Sequence, residues 1–418
     1  MKKRSQWNSV LALAFTVLAF SASTAWGQVP DRRKDQFPTD FAYLIFPAPY
    51  SLPGIGQGAF IIGYLANVFE SPTDIYAYKI TGDAKGQGVG IQEIPLGTRA
   101  LMLQVGREDI SKVQVNQYFS RGMESHKVDY FLVDVSEVTS RYNSLSLNLF
   151  DRRVELAYNT FSQEASIDAV RDYEGNILYA YAPAQKQKGK DRSASLLLDL
   201  TDDYSDPREG VRILYDRSLP YGREALSDPE YHVENVMVNG YVPLGRVNTL
   251  AVDYFRSQAK VTATGEVDPA VVTANFCGPT PDPACIAASQ PLIDGELAHN
   301  RYGTARSMGG RDRLRAYPDG RFQGAQAEYI GLEFRWNYSE EVTPFNWWIW
   351  KDTRTGLQTA FIAEAGTVAE TPDQLWKEYR KDLGVGFRMV TASGAVYRAD
   401  LLWGDEGFAP TIIVNYPW

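Results

Sequence analysis

From Gly58 onward, apolar and polar residues alternate with period two, the spacing of strands that keep one apolar face. The pattern is clearest where Leu145, Leu147 and Leu149 stand against Ser144, Ser146 and Asn148. After a turn at Phe150-Asp151-Arg152 it resumes as Val154, Leu156 and Tyr158 against Glu155, Ala157 and Asn159. Ala59–Phe69 reads as the first strand, and Thr98–Gly106 and Val113–Phe119 read as a hairpin joined by a polar link. Ser193–Leu200, His232–Val242 and Val247–Phe255 follow, the last with Leu250, Val252 and Tyr254 as a lipid-facing stripe. Tyr329–Tyr338 separates Ile330, Leu332, Phe334, Trp336 and Tyr338 from Tyr329, Gly331, Glu333, Arg335 and Asn337. In Leu357–Thr367, Gln358, Ala360, Ile362 and Glu364 share a face; the last strand, Ala409–Trp418, presents Ile412, Val414, Tyr416 and Trp418. Regularity stops between about Val261 and Gly320, and a stretch that long is usually functional or disordered. Its aromatic, Arg and Gly content argues for order.

A soluble sandwich would show the same period. Strands of about ten residues, however, match the 9–11 tilted residues that cross a bilayer. Their polar faces also carry charges and amides, which a soluble core excludes. The expected fold is therefore all-β: a transmembrane antiparallel β-barrel of about 16 strands. Composition agrees, with 25 Tyr, 9 Trp and 19 Phe available for interfacial girdles, among them Phe345, Trp347, Trp348 and Trp350. A net charge of -9 argues against nucleic acid as a partner.

Residues 1–27 read as a signal peptide: Lys2, Lys3 and Arg4, an apolar Val10–Phe20, then Ala25-Trp26-Gly27. The apolar run is too short to span a bilayer, so export is expected. Residues 28–56 form a leader ending in the Pro-rich FPAPYSLPG, and residues 57–418 form the barrel. Cys277 and Cys285 flank a Pro-rich loop, NFCGPTPDPAC, and in an oxidising compartment are expected to form a disulfide. His126, His232 and His299 are far apart, and no Ser-His-Asp, Cys-His or His-Glu-x-x-His pattern occurs, so neither metal, cofactor nor enzymatic chemistry is expected. Gly86-x-Gly88-x-Gly90 reads as strand or turn, the Asp202, Asp203, Asp206 group as a turn, and Lys186–Arg192 as a solvated loop.

The stretch Arg301–Phe322, RYGTARSMGGRDRLRAYPDGRF, organises the rest and reads as the end of a loop folded back into the lumen. Met308-Gly309-Gly310, Leu314-Arg315-Ala316-Tyr317, IGLEFRW, FIAEAGTV and LGVGFRMV together resemble the outer-membrane assembly-factor superfamily. That superfamily, also called bacterial surface antigens, includes BamA, TamA and the two-partner-secretion transporters. The resemblance implies a 16-strand barrel whose long sixth extracellular loop, here 261–326, carries an Arg-Gly-Phe/Tyr tip into the lumen. Arg315-Ala316-Tyr317 matches that tip with Ala in place of Gly, and the matching lumen acids are Glu333 and Glu364. The segment DLTDDYSDPREG, with Asp199, Asp203, Pro207 and Gly210, resembles a turn of the same superfamily. The match extends from Ser193 to Trp418. The stretch before the first strand is too short for a POTRA domain, so a barrel-only member is expected, with a separate periplasmic partner to supply what it lacks. The implied role lies in the Gram-negative outer membrane, among lipopolysaccharide and phospholipid: assembly or translocation of client outer-membrane or secreted proteins, gated by a weak seam between first and last strands. The alternative is a passive pore or structural barrel.

Overall fold

The alternating rows fold into one closed antiparallel sheet. A computed structural model describes residues 36–414 except 38, 221–227, 246, 267, 278–279, 281–282, 339–344, 354 and 392–395. Its strands are β1 (Ala42–Leu52), β2 (Gly56–Ala66), β3 (Asp74–Gly82), β4 (Lys85–Pro95), β5 (Leu101–Tyr118), β6 (Tyr130–Leu149), β7 (Val154–Arg171), β8 (Ile177–Thr201) and β9 (Gly210–Ser218). They continue as β10 (Glu230–Leu244), β11 (Asn248–Ala263), β12 (Gln326–Asn337), β13 (Phe345–Trp347), β14 (Trp350–Thr353), β15 (Thr355–Ala369), β16 (Arg380–Thr391), β17 (Val396–Gly404) and β18 (Gly407–Val414). β13 and β14 form a hairpin outside the wall. The other sixteen pair in sequence, with β12 bonded to β15 and β1 meeting β18 to close the barrel.

Outward positions such as Leu145, Leu156, Leu196, Phe361, Leu383 and Trp403 are exposed and apolar, as a lipid-facing wall requires. Inward positions of β11, β12 and β15 to β17 are buried and polar, because the long connection packs against them from within, whereas many inward positions of β7 and β8 are half-buried or exposed. Short turns such as 96–100 and 150–153 lie at one end. Long connections, 119–129 and 264–325, lie at the other, which by the usual rule of such barrels is extracellular. The wall is uneven: β5 to β8 run 18, 20, 18 and 25 residues, whereas β17 and β18, next to the closure, run 9 and 8.

Several expectations shift. The first strand lies inside the stretch read as leader, since β1 holds Pro47 and Pro49, and proline hides a strand unless the strand is an edge. Arg107-Glu108-Asp109 is not a link but the middle of β5, and Lys186–Arg192 is strand within β8 rather than loop. There both faces of the sheet carry charged and polar side chains, and the apolar half of the pattern disappears. The long connection is partly helical, with α1 (Pro269–Cys277) and α2 (Pro283–Tyr302); Pro291 and Gly295 interrupt the helical period of the second. The side chains of Cys277 and Cys285, the signal peptide 1–27, and Tyr416 and Trp418 of the last strand lie outside the described residues.

Candidate functional site

The tip of the long connection is a small closed unit. Met308 and Phe322 exchange backbone hydrogen bonds of 2.9 Å at its base, Gly310 N donates to Tyr317 O at 2.8 Å, and Tyr317 N donates to Leu314 O at 3.0 Å. Left-handed backbone falls on Gly309 (φ 101°), Gly310 (φ 107°) and Leu314 (φ 50°). Ala316 is spared, which is why Ala serves where the resembling motif has Gly.

This unit carries Arg315 into the lumen, where it is fully buried. Its Nε donates to Glu364 Oε1 at 2.7 Å, Nη1 to Asp400 Oδ2 at 2.6 Å and Nη2 to Glu333 Oε1 at 2.9 Å. One planar guanidinium thus spans three strands, a geometry that lysine cannot supply. The next two backbone amides are used as well: Arg315 N donates to Glu364 Oε2 at 2.9 Å and Ala316 N to Asp382 Oδ2 at 2.9 Å. Tyr317 Oη donates to Lys381 O at 3.0 Å and accepts from Asp405 N at 3.1 Å. Around them, Arg388 donates to both oxygens of Glu333 at 2.8 and 2.5 Å, Arg335 Nε to Glu333 at 3.0 Å, and Arg398 Nη1 to Asp400 at 2.8 Å. Arg315, Arg335, Arg388 and Arg398 thus pair with Glu333, Glu364 and Asp400, and Asp382 is held by the Ala316 amide beside Glu364; each buried charge meets an opposite one, which permits the burial.

The sequence-predicted Arg315, Glu333 and Glu364 are brought together. Asp382 and Arg388 of β16 and Arg398 and Asp400 of β17 complete the cluster; each lies two residues from another inward position, and that spacing is the signal that could mark them in the sequence.

Two further arginines hold the connection from above. Arg321, also fully buried, donates from Nη2 to Glu406 at 2.7 Å and from Nη1 to Ser125 Oγ at 2.7 Å, joining the connections 405–406 and 119–129. Arg121 donates to Glu370 at 2.6 and 2.8 Å and to Gly303 O at 2.8 Å. Asp319 N donates to Pro53 O at 3.1 Å, so the same loop touches the β1–β2 turn and the β17–β18 turn. It bridges the two sides of the barrel closure.

That closure is thin. β1 pairs with β2 without interruption from Ala42↔Ala66 to Leu52↔Gly56, but with β18 the sole register pair among the described residues is Ser51↔Ile412. The sequence explains why. Ile45 N donates to Ile349 O at 3.0 Å, so in an unbulged strand the odd-numbered residues of β1 face the closure. Two of these are Pro47 and Pro49, which have no N–H to give. Pro410 of β18, two residues from Ile412, likewise faces the closure without a donor. The lower part of the β1 edge is taken by the β13–β14 hairpin, with Tyr43↔Lys351 and Leu44↔Trp350 in register and Trp350 Nε1 donating to Ile45 O at 2.9 Å. The Trp-rich stretch read as a girdle is this hairpin. Phe46 closes the gap sideways, its ring 4.3 Å from that of Tyr397.

At the periplasmic end the turn 202–209 is a structural node. Asp199 accepts from Thr201 Oγ1 at 2.6 Å and from Arg212 Nη2 at 3.2 Å, and Arg212 also donates to Tyr204 O at 2.6 Å. Asp203 accepts from Ser205 N at 2.9 Å, Pro207 is buried, and Gly210 has φ 109°. Arg152 lies 3.8 Å from the Tyr204 ring centre and pairs with Glu93 at 2.6 Å. Burial raises the Tyr204 phenol above its ordinary pKa, which keeps it neutral beneath that cation. Gln36 Oε1 accepts from Tyr204 N at 3.1 Å, so the segment before β1 docks on this node.

No family model and no curated protein matches the chain. Among solved structures, BamA from Haemophilus ducreyi lacking POTRA domains 1-3 is similar, at 10% identity and TM-score 0.48, over 91% of this chain and 70% of that one. CdiB from Escherichia coli is similar at 10% identity and TM-score 0.46, over 88% of this chain and 61% of that one. CdiB from Acinetobacter baumannii stands at 11% and 0.46, over 91% and 60%. The chain thus spans less than two thirds of each CdiB structure.

Proposed function

We propose that this chain is an outer-membrane barrel that acts on client proteins, in assembly or translocation, by opening the seam between β1 and β18. The supporting observation is the seam itself: among the described residues it holds one register pair, where β1–β2 holds eleven and β17–β18 eight. A barrel gains stability from closing every edge, so an edge left half-bonded is a place meant to open. Seam-facing N–H groups remain at Tyr43, Ile45 and Ser51, with proline carbonyls between them. A client strand there is held at two ends and loosely in the middle, which suits release. The hairpin that occupies Tyr43–Ile45 leaves before a client enters. A separate periplasmic protein delivers clients to the seam.

The passive-pore reading fits less well, because the buried Arg315 cluster holds the long connection inside the barrel. The test is a seam lock. In a Cys277→Ser/Cys285→Ser background, Ser51→Cys and Ile412→Cys stand directly opposite, within disulfide reach. Oxidation in cells is expected to deplete client proteins from the outer membrane or the medium, and reductant to restore them. Unchanged protein profiles with the seam fully cross-linked would sink the proposal.

A further inference from the structure

The charge run Lys186–Arg192 has a direction. The register of β8 with β7 is unbroken from Val154↔Leu198 to Ile167↔Gln185, so side chains keep one parity over that length. Leu196 and Leu198 face outward, and so therefore do Arg192, Lys190, Lys188 and Lys186. Two neighbours join them. Ser162 stands opposite both Arg141 of β6 and Lys190 of β8, and Arg217 of β9 stands opposite Ala194. Lys186, Lys190, Arg141 and Arg217 are exposed. Lys188 is shared with Glu164 at 2.9 Å, and Arg192 with the carbonyls of Leu219 and Pro220 at 3.0 and 2.8 Å. Six cations surround one interleaved acid, Glu164, with Asp109 of β5 beside Arg141 and Glu234 of β10 opposite Arg217 at the two flanks, and form a basic patch centred on β8 of a chain whose net charge is -9.

The height of the patch matters as much as its sign. At roughly 3.3 Å per residue and about 40° of tilt, each residue adds roughly 2.5 Å of height. Counted from Leu200, Arg192 stands about 20 Å up and Lys186 about 35 Å, whereas the apolar band of such barrels is about 25 Å tall. The ladder therefore crosses the level of the outer-leaflet headgroups, and it faces lipid rather than lumen.

We propose that the outward face of β6 to β9 binds the phosphates of lipopolysaccharide in the outer leaflet. Successive rungs lie roughly 7 Å apart along β8, so one glycolipid bearing several phosphates meets several cations, which a single-phosphate lipid does not. This site is independent of the seam: its failure leaves the gating proposal standing, and the reverse also holds.

The test uses the full mature chain, refolded in detergent, titrated with purified lipopolysaccharide, with the same glycolipid after phosphatase treatment, and with phosphatidylglycerol micelles. A cation near an anionic membrane surface contributes about fivefold in affinity. Lys186→Gln/Lys188→Gln/Lys190→Gln is therefore expected to weaken lipopolysaccharide binding roughly 100-fold, and Lys377→Gln on another loop to leave it unchanged. Wild-type protein is expected to bind the dephosphorylated glycolipid as weakly as the triple variant binds the intact one. If the triple variant does not fold, as judged by heat-modifiability, Lys190→Gln alone is expected to lose about fivefold. Equal midpoints for wild type and folded variants overturn the proposal. So does phosphatidylglycerol binding as tightly as lipopolysaccharide, which would make the belt a general anionic-lipid contact.

Discussion

Removing Arg315 leaves three buried carboxylates to find other partners, and they are not equally placed. Glu333 keeps Arg388 and Arg335, and Asp400 keeps Arg398. Glu364 keeps the Tyr329 hydroxyl at 2.8 Å and the residue 315 backbone amide. The penalty of Arg315→Ala therefore falls mainly on Glu364. Breaking one partner of a buried ion pair costs about 3–5 kcal/mol. The lower figure suits a site that retains two hydrogen bonds, and about 3 kcal/mol shifts the docked-to-undocked ratio of the loop by roughly 100-fold. The assay is limited proteolysis of the folded barrel in detergent, scoring cuts between residues 264 and 310. Cleavage through the undocked state is expected to accelerate by up to two orders of magnitude in Arg315→Ala, while the barrel stays heat-modifiable because no strand pair is touched. Arg315→Ala/Glu364→Gln removes the stranded charge as well and is expected to recover part of the protection. Equal cleavage rates in wild type and both variants would refute the claim that this cluster anchors the loop.

Other consequences follow from the seam and the cap. Pro47→Ala/Pro49→Ala restores two seam-facing donors, and at roughly 1 kcal/mol each the pair is expected to raise thermal stability measurably and slow amide exchange at Ser51; unchanged exchange would mean the prolines do not limit pairing. Replacing residues 345–353 by a short Gly-Ser turn frees the Tyr43 and Ile45 amides, so their exchange is expected to accelerate and the barrel to dimerise through the bare edge, seen by light scattering. Arg321→Ala is expected to open loops 119–129 and 405–406 to protease without releasing the Arg315 tip, since the two clusters share no side chain; loss of both together would make them one unit.

The sequence carried the barrel well wherever the wall is wetted on one side and greasy on the other. Tyr329–Tyr338 and Leu357–Thr367 fall on β12 and β15 with the expected residues inward, because there one face meets a charged lumen and the other lipid. Legibility failed where that contrast fails. In the middle of β5 and the upper part of β8 both faces are polar, so Arg107-Glu108-Asp109 and Lys186–Arg192 give no period. β1 is disguised by the two prolines that make it a seam. The Arg315 tip was visible as a resemblance, and Glu333 and Glu364 as inward positions. Asp400 lacked a flanking motif, Asp382 lies just before LGVGFRMV, and only the register of β16 and β17 brings the two under the tip. The Arg321–Glu406 and Arg121–Glu370 clamps join residues 85 and 249 positions apart, which no local pattern records.

The claim on which the rest depends is that the lumen is closed by its own loop and the wall is weakest at the seam. Single-channel conductance of the refolded mature protein in a planar bilayer tests it most directly. Small, flickering currents are expected for the wild type, and a larger, steadier conductance for Arg315→Ala. A large, steady conductance from the unaltered protein would contradict it, and the chain would then be a pore.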